Sequence, residues 1–280
     1  MTRRIACLTL DVEADHHDLA RGRFYQALDH DPSWEWLLRF SRGRGLPWTA
    51  FVVGELLEMR PDLAPRLAAA GWELGLHAYS HDPAQPDTLD EIQRGKAAFR
   101  AAFGHDPAGY RAPLGLVTLD GLRRLQAEGF RYDSSLFPAW RPGAFNHLSV
   151  PTMPFAPMEA DPLAAGAPRL IEAPCAVVPR LRVIVSVSYL RLLGLAFFRP
   201  ALALFGLPDV AVIDCHMHDL APAPAAYRQL PLFWKLVYRR NRGRGPALLT
   251  WLVDWLTQAG YEFTTLGAMT DWARETIIHD

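Results

Sequence analysis

The chain has 280 residues, half of them hydrophobic, enough to bury a substantial core in one large domain. Lys plus Arg (29) nearly balances Asp plus Glu (30), so no global field draws it to nucleic acid or to anionic lipid, and any such attraction must be local. Cys7, Cys175 and Cys215 are odd in number and widely spaced, which excludes a disulfide framework and a zinc knuckle and fits a reducing compartment.

The opening stretch MTRRIACLTLDVEAD has too short an apolar run for a signal peptide, so the expectation is a soluble, cytoplasmic protein. Ile5 to Leu10 predicts a buried strand ending at Asp11. SWEWLLRFSRGRG predicts a helix with Ser33 as N-cap and a glycine at its end, and Thr49 to Gly54 the next strand. LLEMRPDLAPRLAAAG is helical material, and WELGL, Trp72 to Leu76, is a strand leading into HAYSHD. TLDEIQRGKAAFRAAFG opens with Thr88 and Glu91 in capping-box spacing and closes on Gly104. A short strand around AGYR, a capped helix TLDGLRRLQAEG and a strand FRYD follow. Residues 138–174, rich in proline and weakly periodic, predict an irregular excursion within the domain.

Val183 to Val212 is the most membrane-like region, but Arg191, Arg199 and Pro200 interrupt it short of a spanning helix. Within it YLRLLGLAFFRPALALFG reads either as a helix covering the core or as an interfacial helix with Arg191 and Arg199 near phosphates. Ala211 to Cys215 is a strand. WKLVYRRNRGRG gathers Lys235, Arg239, Arg240, Arg242 and Arg244, a local exception to the neutral balance that reads as a solvated loop or as a partner for anionic lipid. PALLTWLVDWLTQAG is a helix, YEFTTL a strand, and a last helix lies near Met269. This alternation, without internal repeats, predicts an α/β fold: a distorted (β/α)7-type barrel formed as a single domain over residues 1–280.

Polar residues recur where the strands end: Asp11 and Glu13, His77 and His81, Arg111, Asp133, and His216. In a parallel barrel those ends share one face, so the side chains would converge. Each has a structural reading as well. The acids and Asp133 could cap turns, and Arg111 could lie on the surface. His77 and His81, four apart, could share one side of a helical turn or be polar residues in a turn, and His216, with His218 nearby, could be a structural histidine.

This ordered set resembles the polysaccharide deacetylase family, the NodB-type carbohydrate esterases, from Ile5 to about Leu220. LTLDVEAD looks like a variant of the first motif in which the two acids are separated by one residue. HAYSH is similar to the second and most specific motif, with Ala78 where Ser or Thr is usual. RAPLG resembles the third, with Leu114 where an aromatic is common, and YDSSLFP the fourth. DCH resembles the fifth and least specific motif, with Asp214 in the apolar place.

The resemblance implies a NodB-like barrel and a divalent-metal hydrolase. Two imidazoles and one carboxylate suit Zn²⁺ or a similar ion, with Glu13, His77 and His81 as ligands. Asp11 is then the base toward the attacking water, oriented by Arg111, although Asp11 and Glu13 could exchange roles. His216, or else His218, is the acid that protonates the leaving amine, with Asp133 maintaining its protonation. The expected reaction removes an N-acyl group, acetyl or formyl, from an amino sugar. With no export signal in view, the expected substrate is a lipid-linked or other intracellular precursor, met by a cytoplasmic protein with peripheral contact to the inner membrane face through 189–206 and 235–244. Trp140 and Phe137 could stack on a sugar or plug the barrel mouth. Two alternatives are an amidohydrolase of a small or cyclic amide and an inactive carbohydrate-binding barrel. A nucleic-acid partner is not expected, because the basic stretch lacks interleaved aromatics.

Overall fold

A computed structural model describes residues 3–15, 27–142, 144–158, 169–222, 232, 235 and 239–277. In chain order the elements are β1 (Ile5–Val12), α1 (Asp31–Arg44), β2 (Trp48–Val52), α2 (Gly54–Met59), α3 (Leu63–Ala70), β3 (Glu73–Leu76), α4 (Leu89–Phe103), β4 (Gly109–Tyr110), α5 (Leu119–Ala127) and β5 (Tyr132–Asp133). Then come β6 (Trp140–Arg141), β7 (Phe145–Asn146), β8 (Ile171–Glu172), β9 (Val177–Val178), β10 (Val183–Ile184), α6 (Val187–Leu193), α7 (Leu195–Phe205), β11 (Val210–His216), α8 (Met217–Leu220), α9 (Gly245–Gln258), β12 (Glu262–Phe263) and α10 (Leu266–Ile277).

The main sheet runs β11-β1-β2-β3-β4-β5-β8, every neighbour parallel, and β12 pairs with the first residues of β1. Single parallel bridges from Cys175 to Val212 and from Ser186 to Asp214 join its two ends. The barrel is therefore curled and parallel, with a loose seam between β8 and β11 instead of a ladder.

Strand period explains what lines the interior, because alternate residues face opposite sides of a sheet. In β1 the even residues Ala6, Leu8, Leu10 and Val12 join the large core under the helices, whereas Ile5 and Cys7 join a second core with Phe51, Tyr132, Ile171, Val210 and Val212. That second core is the barrel interior. Carried forward at period two, its parity runs through Thr9 and Asp11 on β1 to Glu13 just beyond its end, and through Asp214 to His216 on β11. The interior is thus apolar at the bottom and ionisable at the carboxyl edge. Two glycines make room for its rings: a Cβ at Gly75 would lie 2.7 Å from Phe51 Cδ1, and one at Gly109 would lie 2.0 Å from Tyr132 Cζ.

Several expectations are corrected. α1 starts at Asp31, with Pro32 in its first turn and His30 as N-cap, so Ser33 lies inside the helix. Proline at that position gives up an N–H that the first turn could not use. Thr88 does cap α4, accepting from Glu91 N–H, but the Glu91 carboxylate reaches back to residues 79 and 80 instead of to Thr88. The 138–174 excursion contains the β6–β7 hairpin and ends in β8, a strand of the main sheet; Gly143 and residues 159–168 within it lie outside the described residues. The apolar segment forms two helices that meet at 114° around Gly194, and no single described helix is long and apolar enough to cross a membrane. Of the basic stretch, Trp234 and residues 236–238 lie outside the described residues.

Candidate active site

His77 follows β3 directly, and its Nδ1–H donates to the Arg111 carbonyl at 2.8 Å. That bond fixes the tautomer and turns Nε2 toward the carboxylates, 3.3 Å from Glu13 Oε2 and 3.7 Å from Asp11 Oδ2. His81 Nε2 lies 2.6 Å from the same Glu13 oxygen, yet it is buried without a hydrogen bond. The two rings stand edge to face with centroids 5.0 Å apart.

HAYSH does not form a helical turn. Its residues make a loop in which Ala78 (φ 56°) and His81 (φ 59°) both occupy the left-handed region. Glu91 holds this loop: Oε2 accepts from Tyr79 N at 3.1 Å and from Ser80 N at 2.8 Å, and Oε1 accepts from Ser80 Oγ at 2.8 Å. Glu91 is a positioning residue that a capping-box reading concealed, since its spacing from Thr88 already gave it a role.

Arg111, 1% exposed, crosses the barrel interior. Its NH1 lies 2.8 Å from Asp11 Oδ1, 2.8 Å from Thr9 Oγ1 and 3.2 Å from Asp214 Oδ1, while Nε and NH2 donate to Ser134. The guanidinium rests 4.4 Å above the Phe51 ring. Asp11 is thereby held by one oxygen, and its other oxygen faces His77 and His216, each at 3.7 Å.

His216 Nε2 faces this same space, 3.8 Å from Glu13 Oε1, and its Nδ1 faces Asp219 at 3.4 Å and Asp214 at 3.8 Å. His218 stacks on it at 4.6 Å but is buried, and burial pushes its imidazole down to about 4. Burial also pulls His216 down, but Asp214, Asp219 and Glu13 outweigh it and raise His216 well above the ordinary range. Glu13 is held well below the usual carboxylate range because His81, His77 and His216 outweigh its burial. Burial lifts Asp214 to about 6 against the pull of His216.

The structure brings Asp11, Glu13, His77, His81, Arg111 and His216 to one place, open to solvent at His81 (side chain 29% exposed) and His216 (18%). It does not bring Asp133 to His216. Asp133 has the opposite strand parity, pairs in register with Glu172 and accepts from Ser135 N and Oγ. The carboxylates beside His216 are Asp214 and Asp219. Asp214 could have been found in the sequence, because it stands two residues before His216 and so faces the same side of β11.

Ligand atoms of Glu13, His77 and His81 all lie within 4.8 Å of one another. One hard oxygen, two imidazole nitrogens and a buried His81 Nε2 without a hydrogen bond fit a divalent ion such as Zn²⁺. Two further groupings, Asp11–Asp214–His216 and His216–His218–Asp219, are close enough as well. Arg111 already lies between the acids of the first, and Asp219 of the second accepts from Ser188 and Arg191. Arg191 is thus buried against Asp219 and does not face outward toward phosphates.

The curled parallel barrel of seven strands is the fold of the NodB-like deacetylases. The family model for polysaccharide deacetylase matches residues 21–132, a stretch containing HAYSH and Arg111. The peptidoglycan deacetylase-like protein FGM2 of Gibberella zeae is 34% identical over 95 residues, 31% of this chain and 27% of that protein, so the match spans about a quarter of the relative. A structure from Mycobacterium smegmatis assigned as a polysaccharide deacetylase has a TM-score of 0.63 at 20% identity, covering 98% of this chain and 92% of the other. The allantoinase PuuE gives 0.62 at 14% identity, covering 96% and 90%. A carbohydrate esterase family 4 pseudoenzyme from Bacillus anthracis gives 0.51 at 11% identity, covering 96% and 66%. At these identities the structural likenesses speak for the fold alone. Residues 21–132 are thus similar in sequence to the polysaccharide deacetylases, and the chain as a whole shares their fold.

Proposed function

We propose that this protein is a metal-dependent hydrolase that removes an N-acyl group, acetyl or formyl, from an amino sugar carried on an intracellular, lipid-linked precursor. The observation that carries the reaction is the convergence of Glu13, His77 and His81 within 4.8 Å, beside an aspartate and a histidine paired on the neighbouring strands β1 and β11. The lipid-linked carrier is supported by the apolar and basic surface around α7, not by the site.

Glu13, His77 and His81 would hold the ion, which when bound acts as a Lewis acid on the acyl carbonyl and favours ionisation of the attacking water. Asp11 takes the proton from that water through Oδ2, because Arg111 occupies its other oxygen. Arg111 fixes the direction of that carboxylate and, through its backbone carbonyl, the tautomer of His77. His216 donates through Nε2 to the departing amine from across the same space. Asp214 and Asp219 orient its ring from the Nδ1 side and maintain its protonation, the second being the role expected of Asp133.

Zn²⁺ titration combined with acetate and formate release from N-acetyl and N-formyl amino sugars, and with a cyclic amide as competing substrate, tests the reading. One ion per chain is expected, lost in His81→Ala. His216→Ala should keep the ion and lose roughly 10² to 10⁴ in turnover, the usual contribution of a general acid. A wild-type chain that binds no divalent ion, a His216→Ala variant at wild-type rate, or turnover of the cyclic amide alone would refute it.

A further inference from the structure

The surface around α7 carries two features that the reaction does not use. α7 (LAFFRPALALF) has no acidic residue, and Arg199 is its only charge. Its solvent side presents Ala196, Arg199, Pro200, Ala203 and Leu204, with Leu204 74% exposed. A helix packed on a soluble core ordinarily turns charged residues to water. Here the outward stripe is apolar except for Arg199.

The second feature sits at the amino end of that helix. Arg239, Arg240, Arg242 and Arg244 are all exposed, and among the described residues none has an ion-pair partner. Arg39, Arg94, Arg100 and Arg123, exposed elsewhere, each lie within 3.4 Å of a carboxylate; exposed Arg42, Arg180 and Arg199 stand singly without one among the described residues, whereas the 239–244 turn gathers four. Four like charges so close repel one another unless an external anion compensates. Asn241 anchors the turn that bears them, its Nδ2 donating to the Arg191 carbonyl at 2.7 Å near Gly194, where α6 and α7 meet. Arg191 in turn bonds the His218 carbonyl and Asp219, the residue that holds His216.

We propose that α7 and the 239–244 turn form a docking surface for an anionic lipid bilayer, with the arginines on headgroups and Leu204 in the interfacial layer. Charge complementarity selects an anionic surface, and the apolar stripe beside it selects a bilayer over a soluble anion. The proposal does not depend on the reaction assigned to the site.

Co-sedimentation of the full chain with phosphatidylcholine vesicles, alone or mixed with phosphatidylglycerol, tests it. Binding is expected to the mixed vesicles and to weaken with salt. Replacing the four arginines together by glutamine should lower the partition coefficient roughly 10²- to 10³-fold, and Leu204→Asp should weaken it at unchanged charge on the turn. Unchanged melting temperatures would show that these surface variants fold. The proposal is overturned if the chain does not pellet with mixed vesicles or if the four-glutamine variant pellets like wild type. It is equally overturned if Leu204→Asp changes nothing while soluble polyphosphate competes binding away, since the patch would then be a general anion site.

Discussion

Replacing Glu91 by glutamine should damage the metal site from a distance, because the HAYSH loop is held in a conformation that it would not adopt unaided. A non-glycine residue in the left-handed region costs about 1–2 kcal/mol, so Ala78 and His81 together store about 2–4 kcal/mol. Against this, Glu91 accepts three hydrogen bonds from the loop, each worth about 1.5–3 kcal/mol with a charged acceptor. Glutamine can keep its oxygen on the two backbone N–H groups only by turning its NH₂ to Ser80 Oγ, which reverses that bond and removes the charge assistance of all three. The expected cost is about 1–3 kcal/mol in stability, a melting-temperature drop of roughly 2–8 °C. A larger relative effect falls on the ligand that the loop positions. Loss of a partner one layer out from a metal ligand typically lowers affinity about 10- to 100-fold. Calorimetric Zn²⁺ titration and thermal denaturation of Glu91→Gln measure both quantities. Wild-type Zn²⁺ affinity in a folded Glu91→Gln variant would refute the argument that this carboxylate sets the position of His81.

Asp214→Asn preserves shape but removes the negative charge shared by Arg111 and His216; turnover should fall about 10- to 100-fold, as for partners of catalytic groups, with KM and Zn²⁺ binding little changed, and an unchanged rate would remove Asp214 from the mechanism. The Asp133–Glu172 pair gives a pH test. Burial and the neighbouring Asp133 raise Glu172 well above its ordinary 4.5, so the folded chain binds a proton that the unfolded chain releases. That contribution is complete below pH 4.5 and declines as pH rises through the folded value. Glu172→Gln, with an NH₂ group to offer Asp133 and an oxygen for Leu136 N–H, should flatten this decline, and melting curves of both proteins across pH will show whether it does.

How much of this was legible in the sequence follows from strand parity. Residues that both end a strand and share the interior parity, Asp11, Glu13, His77, Arg111 and His216, were readable because a run such as IACLTLDVE fixes both the strand and its face. Asp133 was misplaced because YDSS is too short to show which of its residues face inward, and the neighbour that does so is Ser134, bonded to Arg111. Asp214 was taken as a departure from an apolar pattern, although period two from His216 put it inside the barrel. Glu91 acts across a gap of eleven residues between a helix and a loop, a contact that no local periodicity encodes. The left-handed backbone at Ala78 and His81 was equally hidden, since neither residue type announces it as glycine does.

The interior layer also accounts for its own charge. Asp11, Glu13 and Asp214 are buried acids, and Arg111 is the one buried cation placed among them. Asp219 does not add to this set, because Arg191 pairs with it. Ionised, the layer holds an excess of two negative charges, which is costly to bury unless something positive enters. Protons can supply part of it: His77 and His216 are both raised above the usual imidazole range by the carboxylates they face, against the opposing effect of burial, and Asp214 is raised by burial. A divalent ion between Glu13, His77 and His81 supplies the same two charges without occupying the lone pairs of His216. Cation and protons therefore compete for one electrostatic deficit, and Arg111 keeps that deficit at two by neutralising one acid of the three. The position of Arg111 at the centre of the layer, bonded to Asp11 and Asp214 and turned away from Glu13, decides which carboxylate is left for a metal.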